Sequence, residues 1–296
     1  GSGRCGMKLI DPGPSRRGWH RLQSVLKCPR YAAWSAFERE HGNERCPSPA
    51  LIKGSLMHIG LAHHYQIKKD APIAKKALEV AGVYVPKSHL PYEPHDAIAA
   101  LAEAQPLAYQ HEWMKHVPEV QKTLDYYLLH WGGESWVPRV VEHELETTIK
   151  DGDKGYLYTQ RVDAIFTNPM TRKHWFFDHK TTFRIQDSTT KRYTLSGQFL
   201  GYNMLGKRIF KERYGGVMLN MIGWGDKKKG PQFQRIAVPH SPFSQKRFIK
   251  TLLHAERILE EHEGREPSDW PGAHHETVCW GTYGPCKYFD RCQHGE

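Results

Sequence analysis

Residues 138–182 constrain the fold most. Three segments with strand character follow one another there, at 140–149, 156–166 and 174–180. Asp151-Gly152-Asp153 and Asn168-Pro169-Met170-Thr171 separate them, and both have turn chemistry. Strands this close in sequence pair with their neighbours, which predicts an antiparallel meander. Upstream, the apolar spacing is helical over 19–40, with a break at Cys28-Pro29, and over 51–69. Residues 70–94 hold several prolines and read as irregular, and Pro118 predicts that 95–131 forms two helices. Downstream come a helix over 195–213, strands over 217–224 and 233–238 joined by a Lys227-Lys228-Lys229 turn, and a helix over 244–263. This order predicts an α/β chain, a central mixed β-sheet flanked by helices.

The chain has 296 residues, enough for one large domain. Residues 1–6 read as a vector-derived extension ending at a natural start, Met7, and are set aside together with Cys5. The expectation is a single domain over 7–296: a helical part at about 19–135, an α/β part at about 136–265, and a tail at 266–296. Lys and Arg number 42 against 32 Asp and Glu, a formal net charge of +10 that favours a polyanionic partner such as nucleic acid. No apolar run is long enough to span a bilayer, and no export signal is visible, so a reducing cytoplasmic setting is expected, phage-encoded proteins included.

Asp163 stands within the second strand of the meander, and Asp178 and Lys180 lie two apart on the third. Strand alternation puts Asp178 and Lys180 on one face. Two carboxylates suit Mg²⁺ or Mn²⁺, which prefer oxygen ligands. A bound divalent ion neutralises a phosphodiester and acidifies a water, and a neighbouring lysine can orient or deprotonate that water. A structural Asp–Lys pair in a hairpin is the plain alternative. His58 follows Gly54 by one helical turn, Glu144 precedes the meander's central strand with Glu142 as its rival, and Gln198 and Tyr202 share a helix face. Each of these alone is an ordinary packing position.

In this order the residues resemble the PD-(D/E)XK nuclease superfamily, most closely its RecB-type branch: G-x-x-x-H, G-x-x-D, D-x-K, then Q-x-x-x-Y. His58, Asp163, Asp178 with Lys180, and Gln198 with Tyr202 fall on these positions. The likeness runs from about residue 20 to the end, with 70–135 unmatched by any motif. It implies a restriction-endonuclease-like core. It implies metal ligation by His58, Asp163, Asp178 and the main-chain carbonyl of His179, with Glu144 at a less fixed acidic position. Lys180 would serve the attacking water, and Gln198 and Tyr202 would position DNA and the carboxylates. One departure is Gln160, which stands where the family has a glycine.

Cys279, Cys286 and Cys292 crowd the tail, and Cys28 and Cys46 lie near the other end. Such clustering in a reducing compartment points to metal rather than disulfides. No C-x-x-C pair of a zinc ribbon occurs; four thiolates can instead hold an iron–sulfur cluster, with Cys28 the candidate for a distant fourth. One subgroup of RecB-type nucleases, including the AddB helicase–nuclease subunit and CRISPR-adaptation nucleases, carries one cysteine before the core and three after it, binding a [4Fe–4S] cluster. By that resemblance Cys28, Cys279, Cys286 and Cys292 are its ligands and Cys46 is free. The gap 280–285 is longer than the family's, while 287–291 matches it. Zinc at the same thiolates and plain free thiols are the rivals.

The resemblance implies a DNA exonuclease acting on single strands or duplex ends, in recombination, repair or the processing of mobile-element and phage DNA. No G-x-x-x-x-G-K-[ST] motif occurs, so any motor would come from a helicase or recombination partner. An endonuclease, a catalytically silent DNA-binding module, an iron–sulfur sensor and an RNA substrate are the other readings.

Overall fold

The structure is a computed structural model. It describes residues 9–10, 15–40, 46–81, 92–186, 191–225, 230–281 and 284–295, with backbone alone at 71–81. Residues 1–6 and the Lys227-Lys228-Lys229 turn lie outside the described residues. The described α-helices are α1 (Trp19–Lys27), α2 (Pro29–Glu40), α3 (Pro49–Ala81), α4 (Pro94–Glu103), α5 (Leu107–Trp131), α6 (Gly197–Phe210), α7 (Pro242–His262), α8 (Glu276–Cys279) and α9 (Phe289–His294). The main strands are β1 (Val137–Asp151), β2 (Lys154–Thr167), β3 (His174–Thr182), β4 (Tyr214–Gly223) and β5 (Gln232–Val238). No helix among the described residues is long and apolar enough to cross a membrane.

Two compact units form. One comprises Gly1–Gly13, Cys46–Leu145 and Arg161–His240; the other Pro14–Arg45, Glu146–Gln160 and Ser241–Glu296. The five main strands make one mixed sheet in the order β1-β2-β3-β4-β5. β2 and β3 are antiparallel, with Ala164 opposite Phe177. β3 and β4 are parallel, with Asp178 opposite Leu219 and Lys180 opposite Met221. Parallel neighbours need a crossover, and α6 lies within it. β5 returns antiparallel to β4.

In the first unit, α3 packs closely against both the sheet and its helical neighbours. A Cβ on Gly54 would sit 3.2 Å from Thr181 Oγ1, next to Lys180. A Cβ on Gly60 would meet Ile98 at 2.9 Å and Leu124 at 3.1 Å. A larger residue at Gly54 would crowd β3, and one at Gly60 would crowd α4 and α5, on the helix that carries His58. Ile52, Leu56, Ile59, Tyr65, Leu124, Phe166 and Phe177 are buried in the core beneath.

Two boundaries differ from the sequence reading. α3 continues to Ala81, through residues read as irregular. Pro118 does not break α5; the division falls at Pro106, the residue capping that helix. Proline costs a helix about 3 kcal/mol through its missing N–H and its ring. Pro118 is exposed, and Trp113, Val117, Val120, Leu124 and Tyr127 bury the opposite stripe, which outweighs that cost. The Cys28-Pro29 break is observed, with Cys28 capping α1.

In the second unit, Arg21 bonds Glu256 at 2.5 Å and the Trp19 ring meets Phe248, joining α1 to α7. Arg257 grips Asp151 with two hydrogen bonds, of 2.8 and 2.7 Å. The tail is seated on α2: Arg30 Nε donates to the carbonyl of Trp270 at 2.8 Å, and Tyr288 packs on Trp34 while its hydroxyl donates to Glu38 at 2.9 Å. Gln160, at the family's glycine position, is buried and accepts a hydrogen bond from Tyr158 at 2.9 Å.

His63 is fully buried on α3, and its Nε2 accepts the Ile10 N–H at 3.1 Å. Burial lowers its pKa to about 4. Burial likewise lowers His64 and His240 to about 4. The unfolded chain binds these protons near pH 6.5 and the folded chain does not, so stability is present above pH 6.5 and is lost as pH falls toward 4. Denaturant titrations should find a lower unfolding free energy at pH 5 than at pH 7. His63→Phe should remove about 2 kcal/mol of that difference.

Candidate active site

The candidate site lies within the first unit. α3 supplies His58, β1 supplies Glu142, β2 supplies Asp163, β3 supplies Asp178, His179 and Lys180, and α6 supplies Gln198 and Tyr202. One ligand atom each from His58, Glu142 and Asp163 falls within 4.8 Å of the others, a grouping able to hold a metal ion. His58 Nδ1 is 3.6 Å from Asp163 Oδ2, and His58 Nε2 is 2.8 Å from the His179 carbonyl oxygen. The His179 N–H donates to Asp163 Oδ2 at 2.6 Å.

Glu142 is the acidic residue of β1 that joins this group; Glu144 stays outside it. Glu142 has φ +44°, a left-handed conformation within β1. Such conformations cost about 1–3 kcal/mol and gather at functional sites.

Asp178 is fully buried. Its Oδ1 accepts from Gln198 Nε2 at 2.8 Å and lies 3.2 Å from the Tyr202 hydroxyl. That hydroxyl takes a hydrogen bond from Gln198 Nε2 at 3.0 Å and lies 2.8 Å from the carbonyl of Arg161. Asp178 Oδ2 is 2.6 Å from Lys180 Nζ, yet it accepts no well-aligned hydrogen bond. Asp178 therefore sits beside the metal-type grouping rather than in it.

The electrostatics separate the two carboxylates. Burial pushes Asp163 up, but His58, His179, Lys180 and the His179 N–H outweigh it and hold Asp163 below the usual carboxylate range. Burial raises Asp178; Lys180 pulls it back, the Asp163 charge pushes it up again, and the net shift is upward. Burial works to lower Lys180, but Asp178 and Asp163 prevail and raise it. Between two carboxylates Lys180 is an ammonium, suited to orienting a water or offsetting charge.

A buried polar network behind β3 was not read from the sequence. Asn220 Nδ2 donates to His179 Nδ1 at 2.7 Å and lies 2.9 Å from the Tyr127 hydroxyl. Arg235 reaches Asn220 Oδ1 at 3.3 Å and the hydroxyls of Tyr65 and Tyr127 at 3.0 Å each, pairs with Glu134, and lies 3.9 Å over the Trp131 ring. Burial lowers the His179 pKa to about 3, so the ring is neutral, with Nδ1 free to accept. The His179 side chain thus anchors the peptide that bonds Asp163 and meets His58. The available signal was one amide, Asn220, inside the apolar run Met218-Leu219-Asn220-Met221.

The second unit holds the cysteines. Cys28, Cys279, Cys286 and Cys292 line one cavity of about 220 Å³, walled by Tyr31, Trp34, Tyr288 and Phe289. All are free thiols, as is Cys46, which lies outside the cavity lining. The Tyr31 N–H points at Cys28 Sγ at 3.5 Å, and the Cys286 N–H donates to the Cys279 carbonyl at 2.7 Å. Burial raises the Cys292 thiol, Arg30 pulls it down, and Cys28 and Cys286 add to the rise. Among the described residues no three thiols come within 4.8 Å of one another. A zinc ion, with sulfurs about 2.3 Å away, would need them closer than that.

No family model matches the chain, and no curated protein matches it. Among solved structures the chain is similar to one described as "Crystal structure of SSO0001", at 15% identity over 51% of this chain and 69% of that one. The TM-score of 0.32 is too low to carry a fold assignment.

The geometry separates Glu142 from Glu144 in a way titration calorimetry can read. Glu142→Gln should weaken Mn²⁺ binding by roughly 10-fold or more, the scale on which even outer partners of a metal act. Glu144→Gln should leave it within about twofold.

Proposed function

We propose that this chain is a metal-dependent deoxyribonuclease of the restriction-endonuclease-like fold, hydrolysing phosphodiester bonds from DNA ends or single strands. One observation carries the reading: His58, Glu142 and Asp163 converge next to the buried Asp178 and its half-buried partner Lys180 within a single unit. A plain structural salt bridge explains neither the gathered donors nor the left-handed Glu142.

The donor set fits Mg²⁺ or Mn²⁺. It offers two carboxylates, one imidazole and the His179 carbonyl, with Asp178 Oδ2 a further oxygen lacking an aligned donor. When bound there, such an ion would neutralise phosphate charge and make a bound water more acidic than bulk water. Lys180 orients the attacking water and offsets charge growing on the phosphoryl oxygens. Gln198 and Tyr202 hold Asp178 so that Lys180 keeps its place. Water adds to phosphorus, the bond to the 3′ oxygen breaks and that oxygen takes a proton, leaving a 5′ phosphate and a 3′ hydroxyl.

The cysteine cavity suits a [4Fe–4S] cluster. Four free thiols line one space walled largely by aromatic rings. The cluster would be structural, tying α1 to the tail, as metal binding and folding are commonly linked. The setting is a reducing cell interior, and a helicase or recombination partner would supply any motor.

End-labelled linear single strands and closed circles, incubated with Mg²⁺ or Mn²⁺, test the reading. Linear strands should be degraded and circles spared; cut circles would mark an endonuclease. EDTA should abolish cleavage, and Lys180→Ala should lower it by roughly 10²–10³-fold at an unchanged Mn²⁺ affinity. Intact DNA with well-folded, metal-bound protein would overturn the proposal.

Iron and acid-labile sulfide in equal amounts should accompany the purified protein. Cys28→Ser should lose both, and Cys46→Ser should keep them. Zinc without sulfide would replace the cluster assignment.

A further inference from the structure

Arg235, on β5, gathers the elements that meet at the candidate metal group. Its guanidinium is almost wholly buried and pairs with Glu134, whose carboxylate is buried as well. Its Nη2 donates to the hydroxyls of Tyr65 on α3 and Tyr127 on α5, at 3.0 Å each, and its Nε donates to Asn220 Oδ1 on β4 at 3.3 Å. Tyr65 lies two helical turns after His58, on the same face of α3. The Tyr65 ring also stacks on the His179 ring, with the planes 14° apart and the centroids at 6.0 Å. Arg235 therefore holds both sides of one contact. It holds the helix of His58 through Tyr65, and the strand of His179 through Asn220. The contact is His58 Nε2 on the His179 carbonyl oxygen, at 2.8 Å.

The direction of each hydrogen bond follows from chemistry. A guanidinium only donates, so Asn220 turns its oxygen to Arg235 and its amide nitrogen to His179 Nδ1. A carbonyl only accepts, so the His58 N–H is at Nε2, and Nδ1 keeps the lone pair of a neutral ring. Nδ1 is the nitrogen on the Asp163 side, 3.6 Å from Oδ2. A metal-binding imidazole commonly gives its other N–H to such a carbonyl, which fixes both ring and tautomer.

We propose that Arg235 is a positioning residue for the metal group. By tying α3 to β3, it keeps the His58 Nε2–H on the His179 carbonyl and Nδ1 turned toward Asp163 as the ligand nitrogen. The assignment rests on the metal-dependent reading above, and it gives a role to a buried charge that touches neither metal nor substrate.

Two readouts on the full chain, freed of loosely bound divalent ions, test the assignment: Mn²⁺ titration calorimetry, and nitrogen-15 NMR of the histidine rings at mildly alkaline pH. The His58 signals are those missing from His58→Gln. In the metal-free wild type, His58 should carry its proton on Nε2. Arg235→Lys keeps a charge opposite Glu134 but loses the fork. It should weaken Mn²⁺ binding by at least about 10-fold and mix the two His58 tautomers. Thr123→Val removes a buried hydroxyl of α5 that bonds the Glu119 carbonyl outside this network. It should keep Mn²⁺ binding within about twofold and leave the tautomer alone, as a merely structural loss would. A wild-type His58 protonated on Nδ1, or equal Mn²⁺ losses for Arg235→Lys and Thr123→Val, would overturn the assignment. Where Arg235→Lys does not fold, Tyr65→Phe decides, since it loses the hydroxyl that Arg235 grips and keeps the ring on His179. Its Mn²⁺ binding should fall by at least about threefold, and unchanged binding would overturn the assignment. A wild type that has the Nε2–H tautomer and binds Mn²⁺ but leaves DNA intact would sink the nuclease reading alone. DNA cleavage by a chain whose Mn²⁺ affinity ignores Arg235 would sink the positioning role alone.

Discussion

Asp178 is a carboxylate without access to water, and much of the first unit follows from accommodating it. An isolated buried charge is expensive, and removing one partner from a buried pair costs about 3–5 kcal/mol. The strand itself supplies the counter-charge, since alternation places Lys180 on the same face two residues later. The donors to Oδ1 come from α6, which exists because β3 and β4 run parallel and need a crossover between them. The mixed sheet therefore brings the Gln198 and Tyr202 helix onto the face where the carboxylate points.

The opposite face of the same three residues carries the rest of the site. His179 turns away from Asp178 and is held by Asn220, which Arg235 and Tyr127 hold in turn. What reaches the candidate metal group is not the His179 ring but its peptide: the N–H bonds Asp163 and the carbonyl meets His58. Fixing a peptide from both faces of a central strand gives the preorganisation that charge stabilisation needs, because nothing has to move when charge develops.

The second unit solves a different problem. Its cysteines come from the cap of α1, from α8, from the loop before Tyr288 and from α9, and they still line one cavity. Short tail elements such as these bury little apolar area of their own. Tyr288 against Trp34 and Arg30 against Trp270 seat the tail through protein contacts, and the thiols stand ready around the space that remains.

The strand segments, the Asp163, Asp178 and Lys180 positions and the helix that carries Gln198 and Tyr202 were legible in the sequence because periodicity and spacing within one element are local properties. The same holds for the break at Cys28. Pro118 misled, because a proline on the exposed side of a well-buried helix is outweighed by packing that no local pattern records. Three features were decided by tertiary structure alone. Glu142 rather than Glu144 joins His58 and Asp163, a choice that strand alternation, which puts residues two apart on one face, does not make. Lys180 stays charged, because two carboxylates from different strands flank it. Asn220 and Arg235 support the site from behind, because β4 and β5 bring them beneath His179. The amino-acid order determined which groups are present and which face of its own element each one takes. Distances between elements, and with them protonation and ligand choice, arise only when the chain closes on itself.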